Sequence, residues 1–186
     1  MNIRLFLLSI IISFCISSCK SPETQRPVEV RSGSFIKESA ERNKKLYEDE
    51  KAVIKKIIDA DTEHSYFASD SGFWYYYNTK QEPNLTEKPE IGDTVTFTYN
   101  IEYLDGTTIV SEEENGLQYY IVDKSNQDLV SGIREGLKLM RQGETVTFLL
   151  PSFKAYGYYG IEKKLGPNVP IQSRVTLKTI DQTNEN

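Results

Sequence analysis

With 186 residues, the chain can bury one substantial core and carry appendages, but it cannot hold two full-sized domains. Its 38% apolar and 26% charged residues give a globular balance that excludes global disorder, and 12 tyrosines and 8 phenylalanines supply most of the aromatic content. A net charge of −5 without a basic stripe argues against nucleic acid as a partner, and the single histidine, His64, is a poor basis for a metal centre or a Ser-His-Asp triad.

Residues 1–18 begin with Arg4 and run through LFLLSIII, a cationic start followed by an apolar stretch of secretory form that is short for a bilayer span. The following Ile16, Ser17, Ser18 and Cys19 resemble a bacterial lipobox, in which the cysteine is acylated and becomes the new N-terminus. An uncleaved anchor, or a secreted protein with an ordinary thiol at Cys19, is the alternative. Cleavage would remove Cys15 with the signal, leaving Cys19 with no partner for an intramolecular disulfide. Residues 19–34, rich in proline, serine and charge, read as a flexible tether.

Over residues 35–62 the spacing predicts a helix, with Ile36, Ala40, Tyr47, Ile54 and Ile58 on one side. That stripe can pack on the chain's own domain or pair with a second copy as a homodimer. From Phe73 the period becomes two. FWYYY favours strand, and in TVTFTYNIEYLDG the residues Val95, Phe97, Tyr99, Ile101 and Tyr103 take one face of a half-buried antiparallel strand. Asp105-Gly106 predicts a two-residue hairpin turn, with strands in TTIVS and QYYIV to follow. A short helix follows, with Ser131 as its N-cap, Ile133, Leu137 and Met140 on its apolar face and Gly143 as its stop. ETVTFLL and SRVTLKTI return to alternation. Strands, one short helix and more strands make an α+β domain on an antiparallel sheet.

The segments DTVTFTYNIEYLDGT, LVSGIREGLKLMRQGETVTFLLP and AYG…GPNVPIQSRVTLKTI resemble, in order, the FKBP-type peptidyl-prolyl cis-trans isomerases. The likeness rests on the Asp-Gly hairpin, the GxxxG of the short helix, its M-x-x-G exit and the AYG loop, and it places an isomerase domain at 70–182. It implies a bent antiparallel sheet wrapped around one short helix, no cofactor or metal, and proline-containing segments of proteins as substrates. It also implies a pocket with Tyr99 as wall, Leu129 and Val130 as lip, Ile133 as floor, Ile109 after the hairpin, Val169 on the final loop and Leu177 on the far side. The Val130 amide would hold a substrate carbonyl, and Tyr156 would set a hydroxyl over the pocket, making Tyr99, Val130 and Tyr156 the catalytic set. Gly157 and Gly160 would let the backbone turn around Tyr156, while Tyr158 and Tyr159 would cover exposed sheet.

Two positions depart from the family pattern. Ile133 stands where tryptophan is usual, and Ile109-Val110 stands where Phe-Asp is usual. With the lipobox, EGLKLMRQGETVTFLLPSFKAYGYYG is similar to the gliding-motility-associated isomerase lipoproteins, which implies a foldase anchored by lipid in the cell envelope and facing the periplasm. The missing aspartate and tryptophan keep open a non-catalytic peptide-binding module of a motility or secretion apparatus. Carbohydrate binding through FWYYY is a third reading, weakened because a strand buries alternate side chains.

Overall fold

The computed structural model describes residues 32–82, 87–124 and 128–182; Cys19, the signal and most of the tether lie outside the described residues. Residues from Ala40 onward form one compact unit, and the part before it is described only as the helical start, Ser32–Ser39. Helix α1 runs Ser32–Ala60. Ile36 and Ala40 of its predicted stripe are exposed, whereas Glu50 and Ile54 are buried and Leu46, Tyr47, Ile57 and Ile58 half-buried. The apolar spacing of its second half is thus spent on the domain. Among the described residues, no helix is long and apolar enough to cross a membrane.

The sheet is antiparallel throughout, built from β1 (Phe67–Ala68), β2 (Trp74–Thr79), β3 (Thr94–Tyr99), β4 (Ile101–Tyr103), β5 (Thr108–Val110), β6 (Gln118–Ile121), β7 (Thr145–Leu150) and β8 (Ile171–Asp181). Its order is β1-β2-β7-β8-β3-β6, with β4 between β8 and β5. The eleven-residue β8 is the spine: it pairs with β7 on one edge and with β3, then β4, on the other. Its alternation buries Ile171, Ser173, Val175 and Leu177 on one face.

The long strand expected over 94–106 is interrupted at Asn100. The interruption is fully bonded: Asn100 Oδ1 accepts the Arg174 amide (2.7 Å), its carbonyl accepts the Ser173 hydroxyl (2.6 Å), and its Nδ2 donates to Glu102 (2.7 Å). Such a break bends a strand without orphaning polar groups. The hairpin turn also differs from the two-residue form. Tyr103 accepts the Gly106 amide (3.0 Å) and donates to the Thr107 carbonyl (2.9 Å), and only Gly106 (φ +88°) takes positive φ. Asp105 instead uses its carboxylate to accept the Thr107 amide at 2.9 Å.

Helix α2 (Glu112–Asn115) is capped by Ser111, and α3 spans Ser131–Leu137. Val130, not Ser131, occupies the cap position of α3, because its carbonyl accepts the Ile133 and Arg134 amides at 3.1 Å each, while the Ser131 hydroxyl is drawn to the Lys154 carbonyl. The helix ends before Gly143, whose amide bonds the Leu177 carbonyl at 2.8 Å in the turn into β7. Ile133, Leu137 and Met140, each 0% exposed, pack against Phe97, Phe148, Leu150, Val175 and Leu177.

Glycines 132 and 136 set how closely α3 lies on β7. A methyl on Gly136 would sit 2.7 Å from the Phe148 ring, and one on Gly132 would meet Leu150 at 2.6 Å and the Lys154 carbonyl at 2.9 Å. Alanine normally gains about 1 kcal/mol over glycine inside a helix, but forcing a methyl into a filled core costs about 1–3 kcal/mol. Phe148 is wholly buried and has nowhere to move, so overpacking wins. Gly136→Ala is expected to lower the urea midpoint; a midpoint at or above that of the parent chain would show that α3 can stand off the sheet.

Candidate functional site

Strand β3 carries Tyr99 to the end of the sheet opposite Val175 of β8. Its carbonyl is held by Asn115 Nδ2 at 2.9 Å, and Asn115 is held in turn by Gln118 Nε2 on its own carbonyl at 2.6 Å. The second phenol comes from the loop after β7. There a 3-10 turn, Ser152–Lys154, lets one carbonyl, that of Ser152, accept both the Ala155 amide (3.0 Å) and the Gly157 amide (2.8 Å). The loop is thereby pinched on either side of Tyr156. The Ser152 amide is anchored by Glu50 Oε2 of α1 at 2.8 Å, and Lys154 pairs with Glu135 of α3 at 2.9 Å.

Tyr156 is half-buried against the core, and its hydroxyl faces that of Tyr99. Burial raises the phenol pKa of both residues, and the facing Tyr99 phenol adds to the rise at Tyr156. Burial and then the Glu144 carboxylate push Tyr77, on the same sheet, up to about 12. An unfolded tyrosine loses its proton near ~10, so above that pH the unfolded chain sheds protons that the folded chain keeps. Stability is therefore fully present below pH ~10 and declines as pH rises beyond it. The expected urea midpoint is flat from neutral pH to that point and then falls, less steeply in Tyr156→Phe. A midpoint that rises with alkali would contradict the buried phenol pair.

Beside Tyr99 lies a cleft of about 180 Å³, lined by Phe97, Tyr99, Gln118, Tyr119, Tyr120, Asp128 and Leu129. Of the residues singled out in the sequence, Tyr99 and Leu129 line it directly. Val130 follows Leu129 and is half-buried; its amide N–H has no acceptor among the described residues. Tyr156 joins through Tyr99. Ile109 and Val169 are half-buried against the core without lining the cleft, while Ile133 and Leu177, each 0% exposed, present no surface at all. Tyr158 (76% exposed) and Tyr159 (92% exposed) project into solvent instead of covering sheet, their rings 5.9 Å apart.

Gln118, Tyr119, Tyr120 and Asp128 were not assigned from sequence. The β3–β6 register, with Phe97 opposite Gln118 and Thr96 opposite Tyr119, brings the first three to the cleft, and that register is invisible from one strand alone. His64 lies elsewhere, closing the end of α1 through Asp61 at 2.8 Å.

A small cleft of mixed polar and aromatic lining, two facing phenols and an amide at a helix start with no acceptor among the described residues suit a reaction that needs shape and hydrogen bonds without a nucleophile. The family model for FKBP-type peptidyl-prolyl cis-trans isomerase matches residues 86–178. The chain belongs to this family. An FKBP-type relative, the probable isomerase FkpA of Neisseria meningitidis serogroup B, is 33% identical over 105 residues, covering 56% of this chain and 37% of the relative. The outer membrane protein MIP of Legionella longbeachae is 29% identical over 147 residues, 78% of this chain and 60% of that protein. The matches therefore span less than two thirds of these relatives' own length. The crystal structure of FkpA from Escherichia coli shares the fold, with a TM-score of 0.57 at 20% identity over 97% of this chain and 83% of that one. Val110 and Ile133, the two positions at which the sequence departs from the expected pattern, are both buried.

Proposed function

We propose that the chain is a peptidyl-prolyl cis-trans isomerase that acts on proline-containing segments of cell-envelope proteins, facing the periplasm and anchored through lipid on Cys19. The observation that carries the reading is the half-buried Tyr156 facing Tyr99, whose cleft is also lined by Leu129, the residue before a Val130 amide that has no acceptor among the described residues. Rotation about an X-Pro bond opposes an amide resonance barrier of about 20 kcal/mol, and no covalent bond is made or broken. The twisted transition state is less zwitterionic than the planar amide, so contact with the rings of Tyr99 and Phe97 and with Leu129 in place of water favours it. The Val130 amide holds the substrate carbonyl while the bond turns, and the phenol pair offers a hydroxyl that reorients without a change of charge. A million-fold acceleration corresponds to about 8 kcal/mol.

The envelope setting is supported by the secretory form of residues 1–18, by the lipobox and by the likeness to an outer membrane protein of Legionella. The narrower likeness to gliding-motility lipoproteins belongs to the same reading. A protease-coupled assay on proline tetrapeptides, varied at the residue before proline, is the test: rates no faster than buffer for every peptide would end the claim. One observation favours a second reading. Ile133 and Leu177 are fully covered and Val110 replaces a carboxylate, which fits a module that binds extended peptides in an envelope apparatus without turning them. Under it, peptides would bind near Tyr119 and Leu129 while the assay stays silent.

A further inference from the structure

A second cavity, of about 510 Å³, lies between the second half of α1 and the opposite side of the Tyr156 loop. Its walls include Leu46, Tyr47, Phe153 and Tyr158, with Glu50 and Lys44 as its charged groups. The volume falls within the range of sites that take small ligands or side chains.

Glu50 makes this cavity more than a surface fold. It is 5% exposed, and while Oε2 accepts the Ser152 amide, Oε1 has no hydrogen-bond partner among the described residues. No described cation pairs with it either. A buried carboxylate served by a single neutral donor is incompletely compensated, and a cation is its complement. The walls suit one. The rings of Tyr47 and Phe153 meet edge to face at 5.3 Å, and each already carries a lysine ammonium 5.7 Å from its centroid, Lys51 and Lys154 respectively. Tyr158, 76% exposed, adds a third ring.

We propose that this cavity binds the basic side chain of a partner polypeptide, an arginine or lysine, at a site separate from the isomerase cleft. Lys44 selects the polypeptide over a free cation. Standing six residues before Glu50, about 9 Å along the helix, its ammonium repels a small cation but donates to the backbone carbonyls that flank a basic residue. The side chain passes the aromatic rings and brings its charge to Glu50.

The test uses the full chain in detergent micelles and a capped Gly-Gly-Arg-Gly-Gly peptide, followed by the backbone amide resonances of Ser152 and Gly157. Saturable shifts with a Kd of about 1 mM or tighter are expected. The citrulline peptide, equal in shape but uncharged, should bind at least about tenfold more weakly, as should the arginine peptide to Glu50→Gln, whose amide oxygen can still accept from Ser152. Tyr158→Ala, at an exposed position, should weaken binding about threefold. Absence of saturable shifts, equal binding of citrulline and arginine peptides, or methylguanidinium binding as tightly as the peptide would each overturn the proposal. Should Glu50→Gln fail to fold, the citrulline comparison on the parent chain decides. None of these peptides contains proline and the readout is binding, so the outcome is independent of the isomerase reading.

Discussion

Gly160→Ala is expected to destabilise the chain by about 3 kcal/mol, a drop of roughly 10 °C in unfolding temperature for a domain of this size. Two effects add. Gly160 has φ +61°, a conformation that costs an L-residue about 1–2 kcal/mol, and a methyl there would stand 2.2 Å from the Leu165 carbonyl oxygen and 2.8 Å from that of Gly166. Those atoms are backbone and cannot rotate away. The Leu165 carbonyl is moreover engaged by the Ile161 amide at 2.9 Å, so relief of the clash breaks the small bridge that shapes the loop. Gly116 separates the two contributions, since it has nearly the same φ, +65°, with nothing within 4 Å of an added methyl. Gly116→Ala should cost only the conformational part, about 2 kcal/mol for a backbone at φ +65° and ψ −166°. Thermal unfolding of the two variants by circular dichroism checks this; equal losses would mean that the crowding around Gly160 is relieved at no cost.

The largest expected effect on activity is that of Val130→Asp. The substitution should lower kcat/KM on proline peptides by at least about 100-fold, or about 2.7 kcal/mol of transition-state stabilisation. Loss of fold is an unattractive explanation in advance, because aspartate is a far better helix cap than valine and Val130 occupies the cap position of α3 with no side-chain bond of its own. The variant should unfold no earlier than the parent chain while its carboxylate charges and wets a wall that has to stay dry. Tyr156→Phe removes one hydroxyl and should cost about tenfold. Parent-like rates in both variants would sever the phenol pair and the helix start from catalysis.

Much of the architecture is written in local pattern. The alternation of Val95, Phe97, Tyr99 and Ile101 survives the break at Asn100 because each of these side chains faces the same core, and the GxxxG of α3 reads as close packing because Phe148 and Leu150 fill the space above it. The break itself could not be read, since it depends on Ser173 and Arg174, more than seventy residues away. The lining of the cleft by Tyr119 and Tyr120 depends likewise on strand register, which is a property of two segments at once. Ser131 misled as a cap because its hydroxyl serves the neighbouring loop. Glu50 carried no signal either: it is one acid among many on a charged helix, and only the folded chain sets it against Ser152, 102 residues downstream.

That last bond bears on how the molecule can be dissected. The stretch recognised as FKBP-type begins at residue 86, yet the Ser152 amide, at the base of the loop that carries Tyr156, is bonded from residue 50. Excising the recognised stretch, or grafting it onto another protein, would discard that bond and leave the Ser152 amide without its carboxylate. The smallest portable unit is therefore longer than its family signature, and must carry the second half of the leading helix with it.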